Sequence, residues 1–209
     1  THAVIQKDVA FRNLAFVVCD EQQRFGVAQR ASLAEKGEGC DTLIMSATPI
    51  PRTLSLIFYG DLDITTIKDK PAARQEITTA IIPESKYAAM LDYISAQAKQ
   101  GRQAYFVCPR IEGDDEGTAM SVTELFGELS QKMRGVKLGL LHGKMKEAEK
   151  NAVMEDFRQG RYDCLVSTTV IEVGVDVPNA TIMVIYNAEQ FGLSQLHQLR
   201  GRVGRGQYK

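Results

Sequence analysis

The hydrophobic positions fall into short runs, separated by longer segments in which apolar residues recur with the period of a helix. Residues 84–100, 119–134 and 145–159 have the helical period and predict helices. The short runs predict buried strands at residues 14–19, 42–45, 77–82, 104–108, 136–141, 163–167 and 181–186. This alternation predicts an α/β protein, with a parallel sheet covered by helices on both faces.

A charged stretch with a proline, residues 68–74, separates two groups of strands and predicts a domain boundary. We therefore divide the chain into residues 1–70 and 71–209. The second part has about five predicted strands, enough for a complete doubly wound domain. The first has only two clear strands, fewer than a parallel α/β domain needs. We expect it to be the end of a longer domain, with apolar faces that can pair with a neighbouring chain.

Composition and charge fit a globular protein with no place in a membrane. The chain is 44% hydrophobic with a formal net charge of −1, so a nucleic-acid surface would have to be local. No apolar run approaches the ~20 residues of a membrane helix. The four cysteines lack a C-x-x-C pair, and the three histidines lack a metal-ligand spacing. These features predict reduced core cysteines and a cytoplasmic location.

An acidic pair, Asp20 and Glu21, directly follows the first predicted strand. Ligands of parallel α/β sheets bind beyond the carboxyl ends of strands. There Asp20 would hold Mg²⁺ and Glu21 would orient and deprotonate an attacking water. Taken alone, such a pair is more often a helix cap or a solvated turn.

Hydroxyl residues follow two further strands. Ser46 and Thr48 precede prolines, a pattern that also suits an ordinary strand-to-helix cap. Thr168 and Thr169 open a loop that continues to Asp176, and their hydroxyls can donate to nucleic-acid phosphates.

The rest of that loop has two notable positions. Gly174 permits a tight turn, and Asp176 can accept a hydrogen bond from a ribose hydroxyl. The alternative is a plain loop with Asp176 as a turn residue.

A glycine-rich segment at residues 139–144 is not a phosphate loop. Only three residues separate its glycines, and methionine follows the lysine, whereas the motif needs four residues and then Ser or Thr. His142 ends a strand there and remains a candidate contact to a nucleic-acid backbone. No other segment supplies a phosphate loop.

Near the end of the chain, Arg202 and Arg205 stand three residues apart among glycines at 201, 204 and 206. This spacing puts both guanidinium groups on one side of a turn. Guanidinium is permanently charged and forms paired hydrogen bonds with phosphate oxygens. The segment is therefore suited to a nucleoside triphosphate.

The order of these motifs after successive strands resembles superfamily two helicases and translocases, which have two RecA-like (P-loop NTPase-like) lobes. Residues 20–27, 45–54, 166–180 and 195–206 resemble the bacterial RecG family of branched-DNA helicases. The transcription-repair coupling factors are similar in several of these stretches, but residues 141–146 favour RecG. The resemblance covers essentially the whole chain, as part of the first lobe (1–70) and a nearly complete second lobe (71–209).

The resemblance also implies roles for individual residues. It implies Mg²⁺ and water activation at Asp20 and Glu21, coupling of hydrolysis to movement at Ser46 and Thr48, nucleotide contact at Gly174, Asp176 and Gln198, arginine fingers at Arg202 and Arg205, and DNA contact at Thr168 and Thr169. Gln23, which the resemblance places among the cofactor-binding residues, replaces the usual histidine of the family at the position that links the acidic motif to the rest of the machinery. It can still form hydrogen bonds but cannot become positively charged, which puts coupling in doubt more than hydrolysis.

On this resemblance the parent protein is a monomeric ATP-dependent helicase that uses ATP and Mg²⁺ on stalled forks and Holliday junctions. The phosphate loop and the DNA-gripping domain would precede Thr1. We expect the isolated 209 residues to lack ATPase activity. The alternative function is a catalytically silent module that binds DNA or a protein. A small-molecule enzyme is disfavoured, because neither a nucleophile–base pair nor a G-x-G-x-x-G turn is present.

Overall fold

The computed structural model describes residues 2–6, 8–21, 36–37, 39–46, 63–67, 69, 76–109, 121–168, 176–206 and 208. The chain forms two compact units, Thr1–Thr65 and Thr66–Lys209. In the described part, no helix is long and apolar enough to span a membrane.

The first unit contains a short 3₁₀ helix, His2–Ile5, and two parallel strands, β1 (Phe16–Cys19) and β2 (Asp41–Ile44). β1 alternates as a strand with one buried face should: Val17 and Cys19 are buried, while Phe16 and Val18 are about half exposed. Self-association through this unit remains a prediction.

In its described residues, the second unit contains four α-helices, two short 3₁₀ helices (Glu84–Lys86 and Ala188–Gln190) and a four-stranded sheet. In chain order its elements are α1 (Tyr87–Lys99), β3 (Gln103–Val107), α2 (Val122–Lys132), β4 (Leu138–Leu141), α3 (Glu147–Arg158), β5 (Cys164–Ser167), β6 (Ala180–Ile185) and α4 (Leu193–Arg200). The strands lie in the order β4-β5-β3-β6, and every neighbouring pair is parallel. The predicted parallel α/β architecture is confirmed.

The central strand β3 separates two hydrophobic cores. All five of its residues are buried, and successive side chains point to opposite faces. Tyr105 and Val107 pack with residues of α3 and α4, whereas Ala104 and Phe106 pack with residues of α1 and α2. Helices therefore cover both faces of the sheet, as the sequence predicts.

Hydrogen bonds at two polar residues fix where one helix begins and where another ends. Ser121 caps α2: its hydroxyl accepts from the Glu124 amide at 3.2 Å, and the Glu124 carboxylate accepts from the Ser121 amide at 2.9 Å. Gln103, at the start of β3, is 3% exposed. Its Nε2 donates to the carbonyl oxygens of Phe157, at 2.6 Å, and Tyr162, at 2.8 Å. The end of α3 is thereby tied to the central strand.

The structure corrects one predicted strand and adds one helix. Residues 77–82 are not a strand: Ile77 packs on the core while Ile81 is 98% exposed, and among the described residues no strand pairs with the segment. Helix α4 is absent from the sequence prediction. None of the four cysteines forms a disulfide, and Cys19, Cys108 and Cys164 are buried, as predicted.

Candidate nucleotide and nucleic-acid site

The predicted acidic site lies at the carboxyl edge of the two strands of the first unit. The Met45 amide donates to the Cys19 carbonyl oxygen at 2.8 Å, so the two strands end side by side. Asp20 and Glu21 follow one strand and Ser46 follows the other, all at the same edge. Within the first unit, these three predicted site residues are therefore brought together.

Glu21 has an unusual backbone conformation. Its φ is 53°, in the left-handed region that residues other than glycine rarely adopt, and its amide donates to Oδ1 of Asp20 at 2.8 Å. Such strain costs about 1 kcal/mol or more and is found often at functional sites. The conformation therefore supports a functional reading of the acidic pair over a plain turn.

The acidic pair has the donor chemistry for Mg²⁺. Mg²⁺ is usually held by one or two carboxylates together with substrate phosphates, so two acids suffice. Asp20 is exposed and Glu21 partly exposed. Among the described residues, no group of three or more His, Cys, Asp or Glu could hold a metal by itself. The residues thus fit a metal that arrives with a phosphate ligand.

The arginine segment continues directly from α4 in the second unit. The Gly201 amide donates to the His197 carbonyl at 3.1 Å, and the Arg202 amide donates to that of Leu199 at 2.9 Å. Leu199 and Val203 are buried in the core. Two apolar anchors therefore fix the segment, while Arg202 is partly exposed and Arg205 is exposed.

Arg205 and Asp176 are paired, although they are far apart in sequence. The Arg205 guanidinium lies 3.5 Å from the Asp176 carboxylate, and its Nε donates to the Gly201 carbonyl oxygen at 2.8 Å. The structure thus brings together two residues that the sequence predicts to lie near a nucleotide.

Tyr105 is a residue near this pair that the sequence analysis missed. Burial raises the pKa of its hydroxyl well above the ordinary value; the nearby positive charges of Arg202 and Arg205 oppose the rise, and Asp176 adds to it. All three charged groups therefore lie close enough to the Tyr105 hydroxyl to affect it. In sequence, Tyr105 looks like any other residue of an apolar strand.

Two of the predicted nucleic-acid contacts, His142 and Thr168, lie at the carboxyl ends of β4 and β5. The Thr168 amide donates to the Leu141 carbonyl at 3.3 Å, so Thr168 and His142 follow neighbouring strand ends. Thr168 is only 4% exposed. His142 has a buried Nδ1 without a hydrogen-bond partner, while its amide donates to Sδ of Met145 at 3.4 Å.

The structure does not describe every predicted site position. Gln23, Thr48, Thr169 and Gly174 lie outside the described residues. Ser46 is exposed and Gln198 is partly buried on α4.

Comparisons with known proteins agree with this geometry. The model of the helicase conserved C-terminal domain matches residues 85–207. RecG of Thermotoga maritima, an ATP-dependent DNA helicase, is 53% identical over 207 residues, 99% of this chain and 26% of the relative. RecG of Bacillus subtilis is 50% identical over 210 residues, 100% of this chain and 31% of the relative. The chain thus spans about a quarter to a third of the length of these relatives.

Solved structures give the same result. A structure of RecG bound to a three-way DNA junction matches with a TM-score of 0.72 at 50% identity, covering 99% of this chain and 26% of that one. S. cerevisiae Dbp5 bound to RNA and ADP BeF3 matches with a TM-score of 0.67 at 18% identity, covering 100% of this chain and 55% of that one, which shows a shared fold. The resemblance to RecG predicted from the motifs is confirmed, and the chain belongs to the helicase conserved C-terminal domain family.

Proposed function

We propose that this chain is part of an ATP-dependent DNA helicase that remodels branched DNA, such as stalled forks and Holliday junctions. The observation that carries this proposal is the 50–53% identity to RecG helicases over 99–100% of the chain. Motifs alone would fit many helicases, whereas identity of this extent includes residues outside the motifs. The relative solved with a three-way DNA junction supports branched DNA as the substrate.

In this proposal Arg202 and Arg205 contact the phosphates of ATP, with Asp176, Gly174 and Gln198 near the nucleotide. Guanidinium groups stabilise the charge that develops during phosphoryl transfer. Support comes from the described geometry: Leu199 and Val203 are buried and hold the segment, while Arg205 reaches solvent. A rigidly held, exposed cation is what a transferring phosphoryl group requires.

Asp20 and Glu21 would hold Mg²⁺ and prepare water for attack. When bound, Mg²⁺ would neutralise negative charge on the phosphates. Glu21 would accept a proton from the attacking water, and Gln23 is assigned to the nucleotide-binding residues. The left-handed backbone at Glu21 supports a functional role for the pair.

The DNA contacts in this proposal are Thr168, Thr169 and His142, with Ser46 and Thr48 coupling hydrolysis to movement. Contacts of this kind go to the sugar–phosphate backbone and are largely independent of sequence. We assign residues 1–70 to the first RecA-like lobe and 71–209 to the second. The proposed location is the cytoplasm, and the proposed active form is a monomer.

The decisive experiment transplants this chain into a relative. Its residues would replace the matched segment of Thermotoga maritima RecG, and phosphate release would be measured with and without forked DNA. We expect DNA-stimulated ATPase activity that is lost in Glu21→Gln, lowered by about 10³-fold or more in Arg205→Ala, and retained in Glu155→Gln, a partly exposed carboxylate on α3. A fall of less than about tenfold in Arg205→Ala would refute the assignment of that arginine.

The 209 residues alone should not hydrolyse ATP. They contain no G-x-x-x-x-G-K-[ST] loop, the main cradle for the β- and γ-phosphates. Phosphate release by the purified chain that disappears in Glu21→Gln would contradict this expectation. If the chain is instead a catalytically silent binding module, the chimaera should fold like Thermotoga maritima RecG but show no ATPase activity.

A further inference from the structure

Gly206 packs against the backbone of Pro178 so closely that no side chain fits between them. A Cβ atom added to Gly206 would overlap the Pro178 carbonyl oxygen and lie 2.8 Å from its carbonyl carbon. Both atoms belong to the main chain, so they cannot turn aside as a flexible side chain would. Any other residue at position 206 must therefore displace one of the two segments.

The two segments that meet here carry the charged pair described above. Gly206 directly follows Arg205, and Pro178 lies two residues after Asp176. The guanidinium–carboxylate separation of 3.5 Å is thus measured between the same two stretches of backbone that meet at Gly206. A shift of either stretch changes the position of the guanidinium group.

The ion pair by itself is too weak to set this position. Its side chains are 36% exposed for Arg205 and 58% exposed for Asp176. Exposed ion pairs hold their partners by only about a 1.4- to fivefold equilibrium preference, and salt screens them. The contact between the backbones of Gly206 and Pro178 leaves no room for one carbon atom. It is a stiffer constraint than the ion pair, because closely packed main chain resists small displacements. The direction of Arg205 therefore depends more on Gly206 than on Asp176.

We propose that Gly206 is a positioning residue for Arg205: by having no side chain, it lets the arginine segment lie against Pro178 and fixes where the guanidinium group points. This inference rests on the proposed function, in which Arg205 contacts ATP. It assigns a role to a glycine with a negative φ, so the reason for glycine is close approach and not backbone conformation.

The first test measures ATP hydrolysis in the chimaera with RecG. A displacement of about 1 Å in a catalytic group costs on the order of 10²-fold in rate. We therefore expect Gly206→Ala to lower kcat by about 10²-fold while KM for ATP changes less than about threefold, since an arginine finger acts mainly in the transition state. Gly192→Ala is the matched control. Its added Cβ would be 3.8 Å from the nearest atom, so kcat should stay within twofold.

A second comparison shows whether Gly206 acts through Arg205. In a chimaera that already carries Arg205→Ala, adding Gly206→Ala should lower kcat no further, because the group being positioned is gone. A further large fall in kcat would overturn the proposal. So would a Gly206→Ala variant with normal kcat, or one that fails to fold, since the glycine would then serve the stability of the whole unit.

A structural test on the 209-residue chain does not depend on ATP hydrolysis. The Nε–H of Arg205 donates to the Gly201 carbonyl at 2.8 Å, so its NMR signal, identified by its loss in Arg205→Lys, should exchange slowly with water. We expect exchange to become at least tenfold faster in Gly206→Ala and to stay unchanged in Gly192→Ala. If the Nε–H of Arg205 exchanges at the same rate in wild type, Gly206→Ala and Gly192→Ala, the positioning role is refuted. An inactive wild-type chimaera with the expected exchange pattern would refute only the proposed function.

Discussion

Replacing Gln103 with glutamate should destabilise the second unit more than any other near-isosteric change at this position. The Gln103 amide donates to the Phe157 and Tyr162 carbonyl oxygens from a site that is 3% exposed. Glutamate has the same shape but no NH₂ group. The substitution therefore removes both donors and directs a carboxylate at two carbonyl oxygens, in a place that water does not reach.

The structure gives the size of the effect. Each lost hydrogen bond costs about 1 kcal/mol net, and an unpaired buried charge costs about 3–5 kcal/mol. Oε1 of Gln103 has no hydrogen-bond partner and is buried, so removing it returns about 1 kcal/mol. Methionine lacks both the donors and that oxygen, and its net cost should be about 1–2 kcal/mol. Glutamate at pH 7 should cost at least about 3 kcal/mol.

Urea unfolding followed by circular dichroism measures these differences. The expected order of stability at pH 7 is wild type, then Gln103→Met, then Gln103→Glu. Burial raises the folded-state pKa of an introduced glutamate above its unfolded value of about 4.3. The cost of glutamate is therefore full at high pH and shrinks as pH falls towards about 4. The reasoning is refuted if the Gln103→Glu variant is as stable as the Gln103→Met variant at pH 7. It is also refuted if the difference in free energy of unfolding between wild type and Gln103→Glu does not change with pH.

Three further predictions follow from the described contacts. Removing the α2 cap with Ser121→Ala should lower the free energy of unfolding by about 1 kcal/mol in urea, and an unchanged midpoint would contradict the capping-box reading. A thiol reagent at pH 8 should label the partly exposed Cys40 first, and Cys164 only on unfolding, because burial raises the pKa of the Cys164 thiol to about 12. Hydrogen bonding from Arg158 lowers the pKa of Glu155 to about 2, so the ionised Glu155 stabilises the fold above pH ~4.5. This stabilisation is lost as the pH falls towards 2. In urea unfolding, the free energies of wild type and Glu155→Gln should therefore become equal near pH 2.

The two inner strands of the second unit, β3 and β5, could be predicted because they are buried on both faces. Strands of this kind read as apolar runs, as residues 104–108 and 164–166 do. Residues 77–82 have the same composition without the same environment. Apolar composition shows that a segment can enter a sheet, but not that a partner strand is present, and Ile81 is 98% exposed.

Helix α4 was missed for a related reason. It has only eight residues, and its apolar positions, Leu193, Leu196 and Leu199, are too few for a clear helical period. Its packing comes from tertiary contact, with Leu199 in one core. The contacts of Arg205 with Asp176 and of Gly206 with Pro178 join distant segments, and no local pattern records them. The sequence could therefore offer candidate site residues, but not show which of them meet.

The weakness of the Arg205–Asp176 pair is consistent with the proposed role of the arginine. An exposed pair contributes about 0.2–1 kcal/mol, whereas hydrogen bonds to charged groups contribute about 1.5–3 kcal/mol. A phosphate can therefore displace the Asp176 carboxylate, which is 58% exposed, with a net gain. A buried pair would hold the guanidinium group too firmly, and an unanchored loop would leave it without a fixed direction. Close backbone packing at Gly206 combined with a weak partner at Asp176 leaves the arginine both positioned and free to exchange.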